Sequence, residues 1–265
     1  MDWLHVFILA VIQGLTEFLP VSSSAHLLFP HLLLGWPDQG LAFDVAVHVG
    51  SLAAVIWYFR VEIVQLLRGF AASLAGKRSA DGDLAWIVGL ATIPAGLAGL
   101  LLDGWVEANL RTILVVGLTT LGFGLLLGWA DRNGGGSAKR VSWRVGLLIG
   151  LAQVLAIIPG TSRSGITMTA ALMLGLDRET SARFSFLLSI PLIAAAGSYK
   201  TLQLMSQAEN VDWMVLALGV IFSALAAYAC IHVFLRLLAR VGFMPFVVYR
   251  VVLGGILLAW YFLAL

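Results

Sequence analysis

The chain has 265 residues, of which 60% are hydrophobic and 11% charged, with a mean hydropathy of +0.97. A soluble domain carries roughly 25% charged residues, so that class is excluded and a polytopic membrane protein is implied. The net charge of +2 makes no case for nucleic acid as a partner; how the charge is distributed says more.

Residues 1–36 are apolar but interrupted by Gln13-Gly14-Leu15-Thr16-Glu17-Phe18-Leu19-Pro20-Val21-Ser22-Ser23-Ser24-Ala25-His26. Pro20 breaks this stretch near its middle, and neither half reaches the ~20 residues that cross about 30 Å of hydrocarbon. No basic run and small-residue cleavage pattern precede it, so no cleavable signal peptide is expected. Three spans follow, near 41–59, 85–102 and 111–129. Residues 145–176 are again apolar and too short on each side of Pro159-Gly160, which leads into Thr161-Ser162-Arg163-Ser164-Gly165. Three more spans are expected near 184–203, 214–232 and 246–265, the fifth of the six containing the lone Cys230, which excludes a disulfide within the chain.

Charge sorts the connections. Arg60, Arg68, Lys77 and Arg78 follow the first span, and Arg132, Lys139, Arg140 and Arg144 the third. Arg178 and Arg183 precede the fourth, and Arg236 and Arg240 follow the fifth, which accounts for 12 of the 16 basic residues. The alternate connections hold Asp38, Asp103, Glu107, Glu209 and Asp212. The basic loops are then cytoplasmic, and both termini periplasmic. This works only if 1–36 and 145–176 each enter and leave on one face, as re-entrant helical hairpins. Three spans separate them, so they enter from opposite faces. Pro20 and Pro159 are 139 apart, Phe43 and Phe184 are 141 apart, and Ala53-Ala54 and Ala194-Ala195 keep the 141 offset. The expected fold is therefore all-α: one membrane domain of six transmembrane helices plus two re-entrant helical hairpins in an inverted-topology repeat, about 1–130 and 145–265. Such repeats build a site at their interface near the bilayer midplane.

The polar groups at the hairpin tips suggest what that site does, because ionisable groups at membrane depth are costly and functional. Gln13 and Glu17 share a helix face. Ser22, Ser23 and Ser24 can cap a helix that starts after Pro20, with His26 about one turn on. Gly160 permits close backbone approach to a ligand, Ser162, Arg163 and Ser164 mark a second helix start, and Thr167 shares a face with Arg163. Two helix N-termini, a guanidinium and several hydroxyls make an anion site suited to phosphate. Glu17 beside it makes sense if a hard divalent cation bridges carboxylate and phosphate. Metal-assisted phosphoryl transfer to water fits the set best. Asp44 and His48, four apart, read equally as part of the site mouth or as a satisfied interfacial pair. Trp36, Trp105, Trp213 and Trp260 read as an interfacial belt. The glycine-rich run 133–137 reads as a flexible loop, and the glycines around Gly96-Leu97-Ala98-Gly99-Leu100 as helix-packing surface.

The two polar runs resemble the signature motifs of the undecaprenyl-diphosphatase family, the integral-membrane bacitracin-resistance proteins of bacteria, and the similarity extends through Phe43 to Ala54, Phe184 to Pro191 and Phe243-Met244-Pro245-Phe246. The resemblance implies a bacterial inner-membrane enzyme that hydrolyses undecaprenyl diphosphate to undecaprenyl phosphate and inorganic phosphate, supplying the lipid carrier for peptidoglycan precursors. It also implies a need for Mg²⁺ or Ca²⁺, an active site reached from the periplasm, and a homodimer. Glu17 matches the catalytic carboxylate of the first motif, Ser23 and His26 its serine and histidine, and Ser162, Arg163, Ser164 and Thr167 the second motif. Ser23, His26 or an activated water is left as the attacking group. Many members of the family carry Glu where Gln13 stands, so a metal site with two carboxylates is not expected. Inverted repeats also suit a transporter, which leaves a polyprenyl-phosphate flippase as the alternative.

Overall fold

The computed structural model describes residues 2–36, 40–206 and 212–263, and the Asp38 and Glu209 of the acidic connections lie outside them. The described residues fold as eleven α-helices, joined by turns and one short 3-10 segment. The first broken segment is α1 (Trp3–Thr16) and α2 (Ser23–Leu34). Then come α3 (Gly40–Tyr58), α4 (Arg60–Leu74), α5 (Ala80–Leu110) and α6 (Ile113–Asn133). The second broken segment is α7 (Trp143–Gln153), the 3-10 turn Val154–Ile157 and α8 (Arg163–Met173), followed by α9 (Arg178–Ser206), α10 (Trp213–Val241) and α11 (Met244–Leu263). Helix starts are written locally in the sequence: Ser79, Thr112, Ser142, Ser162 and Asp212 each accept a hydrogen bond from a backbone N–H one turn on.

Six helices, α3, α5, α6, α9, α10 and α11, are long and apolar enough to cross a membrane, and the protein is a multi-pass membrane protein. They match the six expected spans to within a few residues at most ends, with α5, α9 and α10 running further, α10 to Val241 against an expected end near 232. Helix α4 was not foreseen: residues 60–74 read as part of a basic loop. Only Leu66 and Gly69 of α4 are buried, and Gly69 crosses Gly82 of α5 so closely that a Cβ on it would lie 2.5 Å from the Gly82 nitrogen.

Packing sets the broken segments against the spans and leaves one face of each exposed, with Trp3, Leu4 and Phe7 on α1 and Leu147, Leu148 and Leu151 on α7. Helix α1 lies along α10, α7 lies along α5, α3 touches α9, and α6 pairs with α11. The largest core cluster runs through Phe18, Phe59, Phe186, Phe234 and Phe243, whose rings meet edge-on or tilted. On the basic face, Asp131 accepts from Arg178 Nε at 2.6 Å and from the Phe243 amide at 3.2 Å, which ties the end of α6 to the starts of α9 and α11.

Two glycine expectations change. Gly96 and Gly99 have nothing within 4 Å beside them, because α5 turns Ile87 and Ala91 inward and leaves those glycines on its outer side. Close packing falls instead on glycines such as Gly14, Gly50 and Gly150, whose Cβ would strike the backbone of α10 or α5. The 133–137 run is pinned rather than free: Ala138 pairs with Leu176, and a Cβ on Gly136 would lie 2.1 Å from the Gly175 carbonyl.

Candidate active site

Both breaks are built the same way. Ser22 and Ser162, 140 residues apart, are the N-caps of α2 and α8 and the two non-glycine residues with positive φ among the described residues, at 73° and 71°. Strained backbone of this kind costs about 1–3 kcal/mol and collects at functional sites. In each cap the hydroxyl meets that of the second serine on, Ser22 with Ser24 and Ser162 with Ser164, both at 3.2 Å. The tips touch one another: Ser164 Oγ donates to the Leu19 carbonyl at 2.8 Å.

Glu17 is the centre of the cluster. It is buried, and its Oε1 accepts from Arg163 Nη2 at 3.0 Å. Its Oε2 accepts from Ser23 Oγ at 2.8 Å and from Gln13 Nε2 at 3.0 Å. His48 stands beside it, with Nε2 3.7 Å from the same Oε2 and Nδ1 donating to the Asp44 carbonyl at 2.7 Å. The α3 pair therefore works as one unit, with His48 reaching the carboxylate and the Asp44 backbone orienting the ring. Arg163 also donates to the Ser185 carbonyl at 3.2 Å. Thr167 is fully buried behind it, its hydroxyl 2.7 Å from Ser185 Oγ, so it braces the Arg163–Ser185 contact from within.

Two predicted residues sit apart from the carboxylate. His26 has Nδ1 at 2.7 Å from the Ser22 carbonyl and Nε2 against the hydroxyl of Tyr249. Gly160 takes φ +89°, but the space beside it is filled by α6: a Cβ would lie 2.2 Å from Thr119 Oγ1. Its need for glycine is met by packing.

Sequence reasoning missed Arg250. It is fully buried on α11 and donates to Thr120 O at 3.1 Å, Pro20 O at 3.2 Å, Gly160 O at 3.0 Å and Thr119 O at 3.4 Å. No carboxylate lies within salt-bridge distance of it among the described residues. A lone arginine in the last apolar span was the available signal. Ser185 and Tyr249 were also missed; neither belongs to a polar run.

A family model described as bacitracin resistance protein BacA matches residues 6–256, nearly the whole chain. The chain belongs to the BacA family. Curated relatives agree over their full length. A protein of Hahella chejuensis named undecaprenyl-diphosphatase is 58% identical over 266 residues, covering 100% of both chains. One of Stutzerimonas stutzeri named undecaprenyl-diphosphatase 2 is 58% identical, covering 97% of this chain and 98% of its own. A third, from Saccharophagus degradans and also named undecaprenyl-diphosphatase, is 55% identical over 98% of each. The BacA match spans both breaks, and with them every residue of the cluster.

Proposed function

We propose that this BacA-family protein is a membrane phosphatase that hydrolyses undecaprenyl diphosphate to undecaprenyl phosphate and inorganic phosphate. The observation that carries it is the hydrogen bond from Ser23 Oγ to Glu17 Oε2, with Arg163 on the other carboxylate oxygen. A hydroxyl aimed at a carboxylate is a nucleophile with its base in place. In this reading Ser23 attacks the terminal phosphorus and Glu17 takes its proton. The bridging P–O bond breaks, undecaprenyl phosphate leaves, and water then releases phosphate from Ser23. Arg163 and the N-termini of α2 and α8 hold phosphoryl oxygens and stabilise the charge that develops there. The names of the relatives supply the substrate.

A divalent cation, Mg²⁺ or Ca²⁺, belongs to the proposal. The described residues contain no group of three or more His, Cys, Asp or Glu able to cage one. The donors that do fit are Glu17 and the amide of Gln13, whose buried Oε1 has no protein partner. One carboxylate and one amide oxygen suit an ion whose other ligands are phosphate oxygens and water. Bound there, such an ion supplies Lewis-acid stabilisation of the phosphoryl oxygens.

The re-entrant hairpins and the inverted repeat, about 1–130 and 145–265, are proposed with it. They are supported by the matched serine caps and by α1 lying along α10 as α7 lies along α5. The charge sorting supports basic loops facing the cytoplasm, while a bacterial inner membrane location and a site open to the periplasm are carried by the family resemblance. A homodimer is carried by the family resemblance alone. A layer of Phe18, Phe186 and Phe59 favours hydrolysis at one face over a flippase. These rings pack between Arg163, 6.0 Å from the Phe18 ring, and Arg183, 5.3 Å from the Phe59 ring, which lines an opposite cavity with Glu62.

The test is phosphate release from undecaprenyl diphosphate by detergent-solubilised protein with Mg²⁺ and no gradient. Ser23→Ala is expected to lower turnover by about 10²–10⁴-fold. Wild-type protein that releases no phosphate overturns the phosphatase, and a Ser23→Ala variant near wild-type turnover overturns the nucleophile.

A further inference from the structure

His26 is held in a way the serine mechanism does not use. Its Nδ1 lies 2.7 Å from the Ser22 carbonyl, which can only accept, so Nδ1 carries the hydrogen. The neutral ring then offers a lone pair at Nε2, and the Tyr249 hydroxyl stands 2.5 Å from it. The two rings lie nearly parallel, at 15°. Nε2 thus faces α11 and not Ser23, whose hydroxyl is turned to Glu17. Tyr249 is half-exposed, and its neighbour Arg250 is bonded to the Pro20 and Gly160 carbonyls, which fixes this turn of α11 against both tips.

We propose that Tyr249 is a positioning residue for His26: its hydroxyl, aimed at Nε2, holds the imidazole in the Nδ1–H form and keeps Nε2 as an acceptor at the edge of the phosphate site. When the diphosphate and its attendant water enter, that water donates one hydrogen to Nε2 and the other to the Tyr249 oxygen, so the hydroxyl moves from the ring to the water and still acts in the bound complex. His26 is then ready to orient the water that releases phosphate from Ser23. The role of His26 in turnover rests on the phosphatase reading; the Tyr249–His26 pairing does not.

Tyr249→Phe keeps the ring and removes only the hydroxyl. We expect kcat to fall about 3- to 10-fold, the worth of one ordinary hydrogen bond, with KM within twofold. In a His26→Gln background the same change is expected to cost nothing further, since a residue acting through His26 has nothing left to act on. The ¹⁵N resonance of His26 Nε2, identified by its loss in His26→Gln, reads the pairing without turnover and is expected to move in Tyr249→Phe. An unmoved resonance overturns the proposal. So does an unchanged kcat, or an equal loss of kcat in both backgrounds, which marks Tyr249 as a packing residue. Wild-type protein that releases no phosphate while the resonance still shifts sinks the phosphatase reading and leaves the pair standing.

Discussion

Arg250 offers the sharpest test of how the site is held together. Its guanidinium is fully buried and gives its donors to four carbonyls on three separate pieces of chain. The Thr119 and Thr120 carbonyls lie within α6 and keep their helical partners when the guanidinium is removed. The Pro20 and Gly160 carbonyls lie in the tip turns and lose their main donor. Leaving the Pro20 carbonyl unsatisfied, and the Gly160 carbonyl with Thr120 Oγ1 alone at 3.4 Å, costs at most about 2–6 kcal/mol, against which Arg250→Met recovers part of the expense of burying a charge. A net loss of about 1–3 kcal/mol is expected, seen as a Tm several degrees lower when unfolding is followed by tryptophan fluorescence in detergent. Activity is expected to suffer more. The tips carry Ser23 and Arg163, and an error of about 1 Å in their separation costs on the order of 10²-fold in phosphate release. Arg250→Lys keeps the charge, but one ammonium cannot span both tips, so its turnover is expected to lie between the two. A methionine variant with normal kcat and a lowered Tm would show that the tips hold their geometry without the arginine, and the reasoning fails.

The remaining expectations concern the groups around Glu17. Arg163→Lys loses the fork that joins Glu17 to the Ser185 carbonyl and is expected to raise KM for the diphosphate at least tenfold, with Thr167→Val giving a smaller change of the same kind; a Lys variant with wild-type KM removes Arg163 from phosphate binding. Chelation is expected to stop phosphate release and Mg²⁺ to restore it. Gln13→Leu is expected to raise the Mg²⁺ concentration for half-maximal rate about tenfold, while Gln13→Glu lowers it. Identical Mg²⁺ titrations for the three proteins would exclude Gln13 as a donor.

Much of this arrangement is legible along the chain, because its signals are local. Hydropathy marks the six spans, charge sorts their connections, and two similar polar runs announce that Glu17, Ser23 and Arg163 belong together. What stays hidden depends on neighbours distant in sequence. Helix α4 is hidden because its buried face is just Leu66 and Gly69, and its 15 residues, bounded by Arg60 and followed by Lys77 and Arg78, are too few to span and read as part of a basic connection. Ser22 and Ser162 carry no mark of positive φ, since glycine is the residue such backbone predicts; the strain is sustained by contacts between the tips. Ser185 enters through a backbone carbonyl, which every residue has. Tyr249, 223 residues from His26, and Arg250 beside it stand in an apolar helix, outside any motif read from spacing.

Arg250 also completes the electrostatics. With Glu17 and Arg163 alone, the tips balance one acid against one base, and a structural salt bridge would account for both. Arg250 adds a second buried guanidinium with no carboxylate of its own among the described residues. A buried pair can be neutral for stability, but a buried excess of positive charge is a standing cost that packing alone does not offset. That excess becomes favourable when a multiply charged anion enters between the helix N-termini, since low-dielectric walls strengthen each contact it makes. On the proposed reading the same charge that burdens the fold holds the diphosphate, and Arg250→Met is expected to weaken binding of inorganic pyrophosphate as well as of the lipid.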